Sequence, residues 1–296
     1  MRVKTAVALT VLFIFALVGS HRGPSADEKK HFMWQVRSES GTAYLLGSVH
    51  LMKKYIYPLE TSIEEAFGES DVLAVEANIN SLNPEEAGEI AEKSLYPPGD
   101  SLKKHISGRT YDMVKDEANK TGLPAAIADR QRPWALALTF TSLELMKAGF
   151  DPRYGIDRHF LSEAEGRKKI VELESLGYQL DLLAGLSDAE QEMFLIYTLK
   201  DVRRLGAATD KMLDAWKSGN GREMASLLSG EGTEDKGLSL FYGRLLYERN
   251  RNMAVKIEEL LRNGGTCFVV VGAGHLVGKK GIIEILKDRG YRVKQL

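Results

Sequence analysis

Tyr44-Leu45-Leu46-Gly47-Ser48-Val49-His50 is the stretch on which the fold turns. An apolar run stops at a glycine, and a histidine follows. Glycine lets the backbone turn sharply with no Cβ penalty, so the histidine can point back over the end of a strand. Upstream, Trp34-Gln35-Val36-Arg37, then Ser38-Glu39-Ser40-Gly41, then Thr42 to Val49 read as a β-hairpin entering the core. Downstream the pattern predicts a helix over 59–67 and a short buried strand, Asp71-Val72-Leu73-Ala74-Val75-Glu76, that ends on a carboxylate.

The same device recurs near the other end. Cys267-Phe268-Val269-Val270-Val271 is an apolar strand, and Gly272-Ala273-Gly274-His275 turns off it. A helix over 248–262 precedes it, and a helix over 278–289 and a strand over 291–295 follow. Between the two turns the chain reads as largely helical, over 84–93, 102–121, 133–147, 157–166 and 187–228. Breaks are expected at Tyr96-Pro97-Pro98-Gly99, at Gly206 and at Ser218-Gly219-Asn220-Gly221, and Pro133 suits a first helical turn. Lys169-Ile170-Val171-Glu172-Leu173-Glu174 is a strand with a second terminal carboxylate. The expected fold class is α/β (α+β), with two small β-sheet-containing halves, each carrying a strand–Gly-x-x-His–helix unit, around a central helical insert. One domain is expected over 27–296, with an N-terminal half about 30–80, a helical middle about 84–260 and a C-terminal β-α-β about 266–296.

The composition is that of an ordinary globular chain, 44% hydrophobic with a formal net charge of -1. That balance gives no basic face for a nucleic-acid partner. Residues 1–26 read as a signal peptide, with Arg2 and Lys4 ahead of the apolar run Ala6 to Val18 and small residues for cleavage after it. The expected location is therefore periplasmic or extracellular, with membrane association possible only through an uncleaved N-terminal segment. No cysteine follows the apolar run, which excludes a lipoprotein, and the sole cysteine, Cys267, suits a buried strand position.

Each Gly-x-x-His sits where a strand gives way to a helix, the edge at which open α/β sheets bind ligands. One copy is a common pattern; two copies, both directly after strands, are more specific. Glu76 and Glu174 end two other strands, and Asp157 opens a helix after Tyr154-Gly155-Ile156. With His50 and His275 they form a mixed nitrogen and oxygen donor set suited to Zn²⁺, Mn²⁺ or Fe²⁺. A bound divalent ion would acidify a water, with a spare carboxylate as general base. A dinucleotide site fails because Val277 holds the third glycine position of Gly-x-Gly-x-x-Gly. No His-Glu-x-x-His or Gly-x-Ser-x-Gly is present, which argues against a zincin and an α/β-hydrolase. His159 and Glu163 are spaced as a surface pair on one helix face, and His31 and His105 are expected in solvent.

With these residues in place, the chain resembles the TraB/GumN family, which includes the TIKI proteases. The likeness runs through Tyr44 to His50 with Tyr57-Pro58-Leu59, Asp71 to Glu76, Arg132-Pro133-Trp134, Tyr154-Gly155-Ile156-Asp157 and Leu173-Glu174-Ser175. It closes with Glu248-Arg249-Asn250-Arg251-Asn252-Met253 and Val271 to Gly278, so it covers nearly the whole mature chain in order. The resemblance implies a metal-dependent protease that trims a secreted protein; other members are linked to peptide-pheromone shutdown and to a polysaccharide gene cluster. His50, Glu76 and His275 match the family's functional motifs, while Asp157, Glu174, Arg249 and Asn250 match recurrent polar positions. Arg132 stands where Lys is common, which keeps the charge.

Three readings follow. In the first, the protein is an exported metal-dependent hydrolase, a peptidase acting on a peptide or protein with Mn²⁺, Co²⁺ or Zn²⁺. His50 and His275 are metal ligands, Asp157 or Glu174 completes the shell, Glu76 is the general base or a further ligand, and Arg249 stabilises the developing oxyanion. In the second, it is an exported binding protein that sequesters a peptide or other ligand without turnover. In the third, it handles haem or metal, with His50 or His275 as an axial ligand.

Overall fold

The computed structural model describes residues 30–228 and 243–296; the predicted signal peptide lies outside them. Six strands form one mixed sheet in the order β4-β3-β5-β2-β1-β6. They are β1 (Met33–Arg37), β2 (Gly41–Ser48), β3 (Val72–Val75), β4 (Lys169–Glu172), β5 (Gly265–Gly272) and β6 (Arg292–Gln295). The α/β class is as expected, and the strands of both halves share this single sheet. β1 and β2 make the antiparallel hairpin, and β6 pairs antiparallel with β1. β2–β5, β5–β3 and β3–β4 are all parallel. Four adjacent parallel strands thus end at one edge, with Ser48 opposite Gly272 and Val75 opposite both Val270 and Glu172.

The central strands are continuous apolar runs because both faces are covered. Leu45, Leu46, Phe268, Val269, Val270 and Val271 are fully buried. Helix Thr61–Gly68 and helix Ile156–Ala164 cover one face, where the rings of Phe67, Phe160 and Phe268 meet with centroids 4.8–5.5 Å apart. Each such ring contributes about 1.5–3 kcal/mol by leaving water.

Local chemistry sets most helix boundaries. Asn83 and Glu86 form a capping box at helix Pro84–Ser94, and Ser187 and Glu190 form another at helix Asp188–Asp201. Helix Pro133–Lys147 starts on its proline as the sequence predicts. The run 102–121 is split: a 3₁₀ turn, Leu102–Lys104, precedes helix Gly108–Thr121, whose start is capped by Ser107 Oγ. The run 187–228 breaks at a 3₁₀ turn, Val202–Arg204, and Gly206 lies inside helix Leu205–Lys217 instead of ending one. Among the described residues no helix is long and apolar enough to cross a membrane.

Candidate active site

The two Gly-x-x-His turns leave neighbouring parallel strands, β2 and β5, so they lie side by side. A Cβ on Gly47 would come 2.4 Å from the Phe32 ring and 3.2 Å from the Ala273 Cα, so only glycine lets the first turn pack against the second. Trp216 Nε1 donates to the Gly47 carbonyl at 2.6 Å and pins that turn from the other side. β3 lies beyond β5 and delivers Glu76, whose Oε1 accepts the Gly272 N–H at 2.6 Å. β4 comes next: the β3–β4 pairing continues past both strands, with the Glu174 N–H on the Glu76 carbonyl at 2.8 Å. The strand ends therefore present Glu174, Glu76, His275 and His50 along one edge, in that order.

Arg249, on helix Glu248–Asn263, binds the two carboxylates together. Its Nη2 donates to Glu76 Oε2 and to Glu174 Oε2, each at 2.7 Å, and its Nε donates to Glu174 at 2.9 Å. Nη1 donates to the Leu245 carbonyl at 3.2 Å. A guanidinium has five N–H donors, so these bonds leave one on Nη1. All three side chains are buried. Burial opposes ionisation of Glu76; the positive field of His275, Arg249 and His50 and the Gly272 N–H outweigh it and hold the carboxyl near 2. Burial also pushes His275 down to about 3, so at neutral pH His275 carries no charge. With His275 neutral, the charges of Arg249 and His50 and the Gly272 N–H are what keep Glu76 ionised at neutral pH.

Each histidine is gripped at Nδ1. His50 donates from Nδ1 to Asp157 Oδ2 at 2.9 Å, and His275 donates from Nδ1 to Asn250 Oδ1 at 2.5 Å. The Asn250 amide is itself fixed, because its Nδ2 donates to the Lys280 carbonyl at 2.8 Å. Neutral His275 thus carries its proton on Nδ1 and a lone pair on Nε2. That Nε2 is buried, has no hydrogen-bond partner, and lies 3.7 Å from Glu76 Oε1. His50 is different: burial works against its charge, but Asp157, with help from Glu76, pushes it up to about 9 against the opposing Arg249. Its side chain is 34% exposed, against 0% for His275, so His50 is the solvent side of the pair.

The donor chemistry fits a divalent ion. Partners that hold Nδ1–H and leave Nε2 free are the usual company of ligating histidines, and an orphaned buried nitrogen facing an ionised carboxylate favours a cation between them. Two imidazoles and a carboxylate make a familiar three-ligand set. Among the described residues, however, no group of three or more His, Cys, Asp or Glu side chains is placed so as to hold a metal ion. Of the predicted ligands, Asp157 is engaged by His50 and Glu174 by Arg249, whereas His275 and Glu76 face each other.

Other predicted positions fall elsewhere. His159 meets Glu64 at 3.2 Å, not Glu163, which pairs with Arg167 at 3.1 Å. His31 and His105 are half-buried instead of free in solvent; His105 stacks on Tyr96 at 4.3 Å and bonds Asp100 at 2.8 Å. Cys267 is buried, and burial pushes its thiol up to about 12. Two participants were not singled out as site residues. Asn250 has a signal, the Glu248-Arg249-Asn250 run on one helix, but no role could be read from it. Gln179, whose Nε2 reaches Glu174 at 3.1 Å and Glu76 at 3.3 Å, has none, being a single glutamine with no motif around it.

Comparison with known proteins follows the same residues. The TraB/PrgY/gumN family matches residues 32–295. The chain is 23% identical over 245 residues to the uncharacterized protein YbaP of Escherichia coli (strain K12), covering 82% of this chain and 87% of that one. It is 23% identical over 328 residues to the Danio rerio protein named Metalloprotease TIKI1, covering 93% of this chain and 65% of that one. For the Homo sapiens protein named Metalloprotease TIKI1 the identity is 22% over 324 residues, covering 92% and 63%. The chain thus spans just under two thirds of these two TIKI proteins. No solved structure matches it.

Proposed function

The chain belongs to the TraB/PrgY/gumN family, and from that premise we propose that it is an exported, divalent-metal-dependent peptidase. The observation that carries this reading is the unprotonated His275 Nε2 facing the ionised Glu76 Oε1 at 3.7 Å, both buried. The relatives named metalloproteases support peptide hydrolysis as the reaction class.

His50 Nε2, His275 Nε2 and Glu76 Oε1 would hold Mn²⁺, Co²⁺ or Zn²⁺, which when bound supplies Lewis acidity toward a carbonyl and toward water. Asp157 and Asn250 fix the two rings. His50 is a cation held by Asp157, so metal ligation there would release its Nε2 proton to solvent, and Asp157 stabilises the ring in either state. Arg249 grips Glu174 through both Nε and Nη2 and from there gives Glu76 one bond from Nη2, which fixes the Glu76 carboxylate, and the uncommitted Nη1 N–H of Arg249 is the one donor it has left for a developing oxyanion. Glu76 Oε2 is taken by Arg249 and Gln179, whereas Oε1 accepts one bond, from the Gly272 N–H, and keeps a lone pair with which to serve as ligand or base.

The test is metal analysis of the purified mature protein beside His50→Ala and His275→Ala, with each preparation assayed against a mixed-sequence peptide library. Stoichiometric metal in the wild type, lost in both variants together with cleavage, is the expected result. A folded, metal-loaded wild type that cleaves nothing sinks the peptidase.

A further inference from the structure

We infer that Gln179 is a specificity residue whose side-chain oxygen accepts a backbone N–H of the peptide substrate. The inference rests on the peptidase reading and names what that site selects. Gln179 Nε2 lies 3.1 Å from Glu174 Oε2 and 3.3 Å from Glu76 Oε2. Those are the same two oxygens that share Arg249 Nη2. A carboxamide donates only from nitrogen and accepts only at oxygen. The flipped amide would set Oε1 against two carboxylate oxygens, so nitrogen faces the pair and Oε1 faces away from it. No described residue donates to Oε1.

Burial decides what lies on that side. Glu76 and Glu174 are buried, whereas Gln179 is half-exposed on helix Leu176–Ala184, none of whose residues is buried. The amide stands between the carboxylate pair and solvent, and both its orientation and its distance from the pair are set by the two bonds at Nε2. It presents an acceptor with no donor of its own toward an approaching chain. A backbone N–H satisfies such an oxygen; an ester oxygen or an N-methylated amide leaves it without a donor. A site built to bond an N–H discriminates against the analogue lacking it because its own polar group is then left unpaired.

A thermodynamic cycle tests this with the full mature protein. A peptide cleaved by the wild type is compared with analogues N-methylated singly at each backbone position flanking the scissile bond, for the wild type and for Gln179→Met. For the wild type one analogue should lose about tenfold in kcat/KM, the scale of one hydrogen bond. Gln179→Met should lose about as much on the parent peptide, chiefly through KM, and nothing further on that analogue. Loosening of the carboxylate pair would instead lower every substrate alike; a uniform loss across parent and analogues overturns the inference and leaves the peptidase reading standing. Additive losses, or a wild type indifferent to every analogue, overturn it as well. A wild type that cleaves no peptide overturns the peptidase reading first and this inference with it. Gln179→Asn keeps the amide but withdraws it by one methylene and should behave as Gln179→Met does, which covers the case in which methionine disturbs the helix.

Discussion

His275 gives its Nδ1–H to a neutral amide oxygen, Asn250 Oδ1, at 2.5 Å inside a fully buried pocket. That partner fixes the tautomer without adding charge, so Nε2 keeps its lone pair. Asn250→Ala would leave a buried N–H with no acceptor, costing about 1–3 kcal/mol in urea unfolding. Loss of this support should also weaken metal binding by roughly 10–100-fold in a chelator competition. An Asn250→Ala protein with unchanged metal affinity would show that the Asn250 bond does not hold the His275 ring for ligation.

Arg249 separates two buried carboxylates, and nothing else among the described residues carries a full positive charge into direct contact with both. Arg249→Met should destabilise the protein by about 3–5 kcal/mol, because an uncompensated buried charge is worse than no charge. Adding Glu174→Gln should recover part of that loss. Equal stability of the single and double variants in urea titration would show that the carboxylates escape to water.

Gly155 passes under His50 so closely that a Cβ would sit 2.3 Å from the His50 carbonyl oxygen. The Ile156 N–H to the Val49 carbonyl, 3.1 Å, clamps the two segments at that point, and Asp157 follows directly. Gly155→Ala should therefore pull Asp157 from His50 and lower stability by about 1–3 kcal/mol. NMR titration of His50 should show its pKa falling from about 9 as the Asp157 contact loosens. An unchanged His50 titration in a folded variant would contradict this.

Glu117, on helix Gly108–Thr121, supplies the pH dependence. Burial raises its pKa, Glu144 raises it further, and Lys120, Arg203 and Lys147 only partly offset this. The folded state holds this proton more tightly than the unfolded chain does. Its contribution is therefore fully present below the unfolded value, about 4.3, and is lost as pH rises through the folded value. Glu117→Gln should raise Tm at pH 7, and the gain should disappear near pH 3. No gain at pH 7 would show that the neighbouring cations already compensate the charge.

What the sequence made legible was local. Pro133 marks a helix start by its fixed φ, and both Gly-x-x-His turns follow strands because apolar runs and glycines are read within a few residues. Strand order was out of reach. β2 pairs with β5 across more than two hundred positions, and periodicity says which face is buried without saying against what. The same limit hid Asp157 behind His50, 107 positions apart, and Glu174 behind Arg249, 75 apart. A glycine inside a helix and a glycine ending one look alike without the neighbouring packing, which is why the sequence suggests a break at Gly206 when it falls at Val202–Arg204. Residue chemistry named the six polar members; only geometry shows which of them touch.

The parallel pairing of β2 with β5, and the antiparallel pairing of β6 with β1 at the sheet's edge, have a consequence for how the protein folds. The central ladder joins Gly41–Ser48 to Gly265–Gly272, so the sheet stays open until almost the whole chain has emerged. Contacts of such sequence separation form slowly. The two histidines, which follow the ends of these two strands, are assembled in the same late event that closes the sheet.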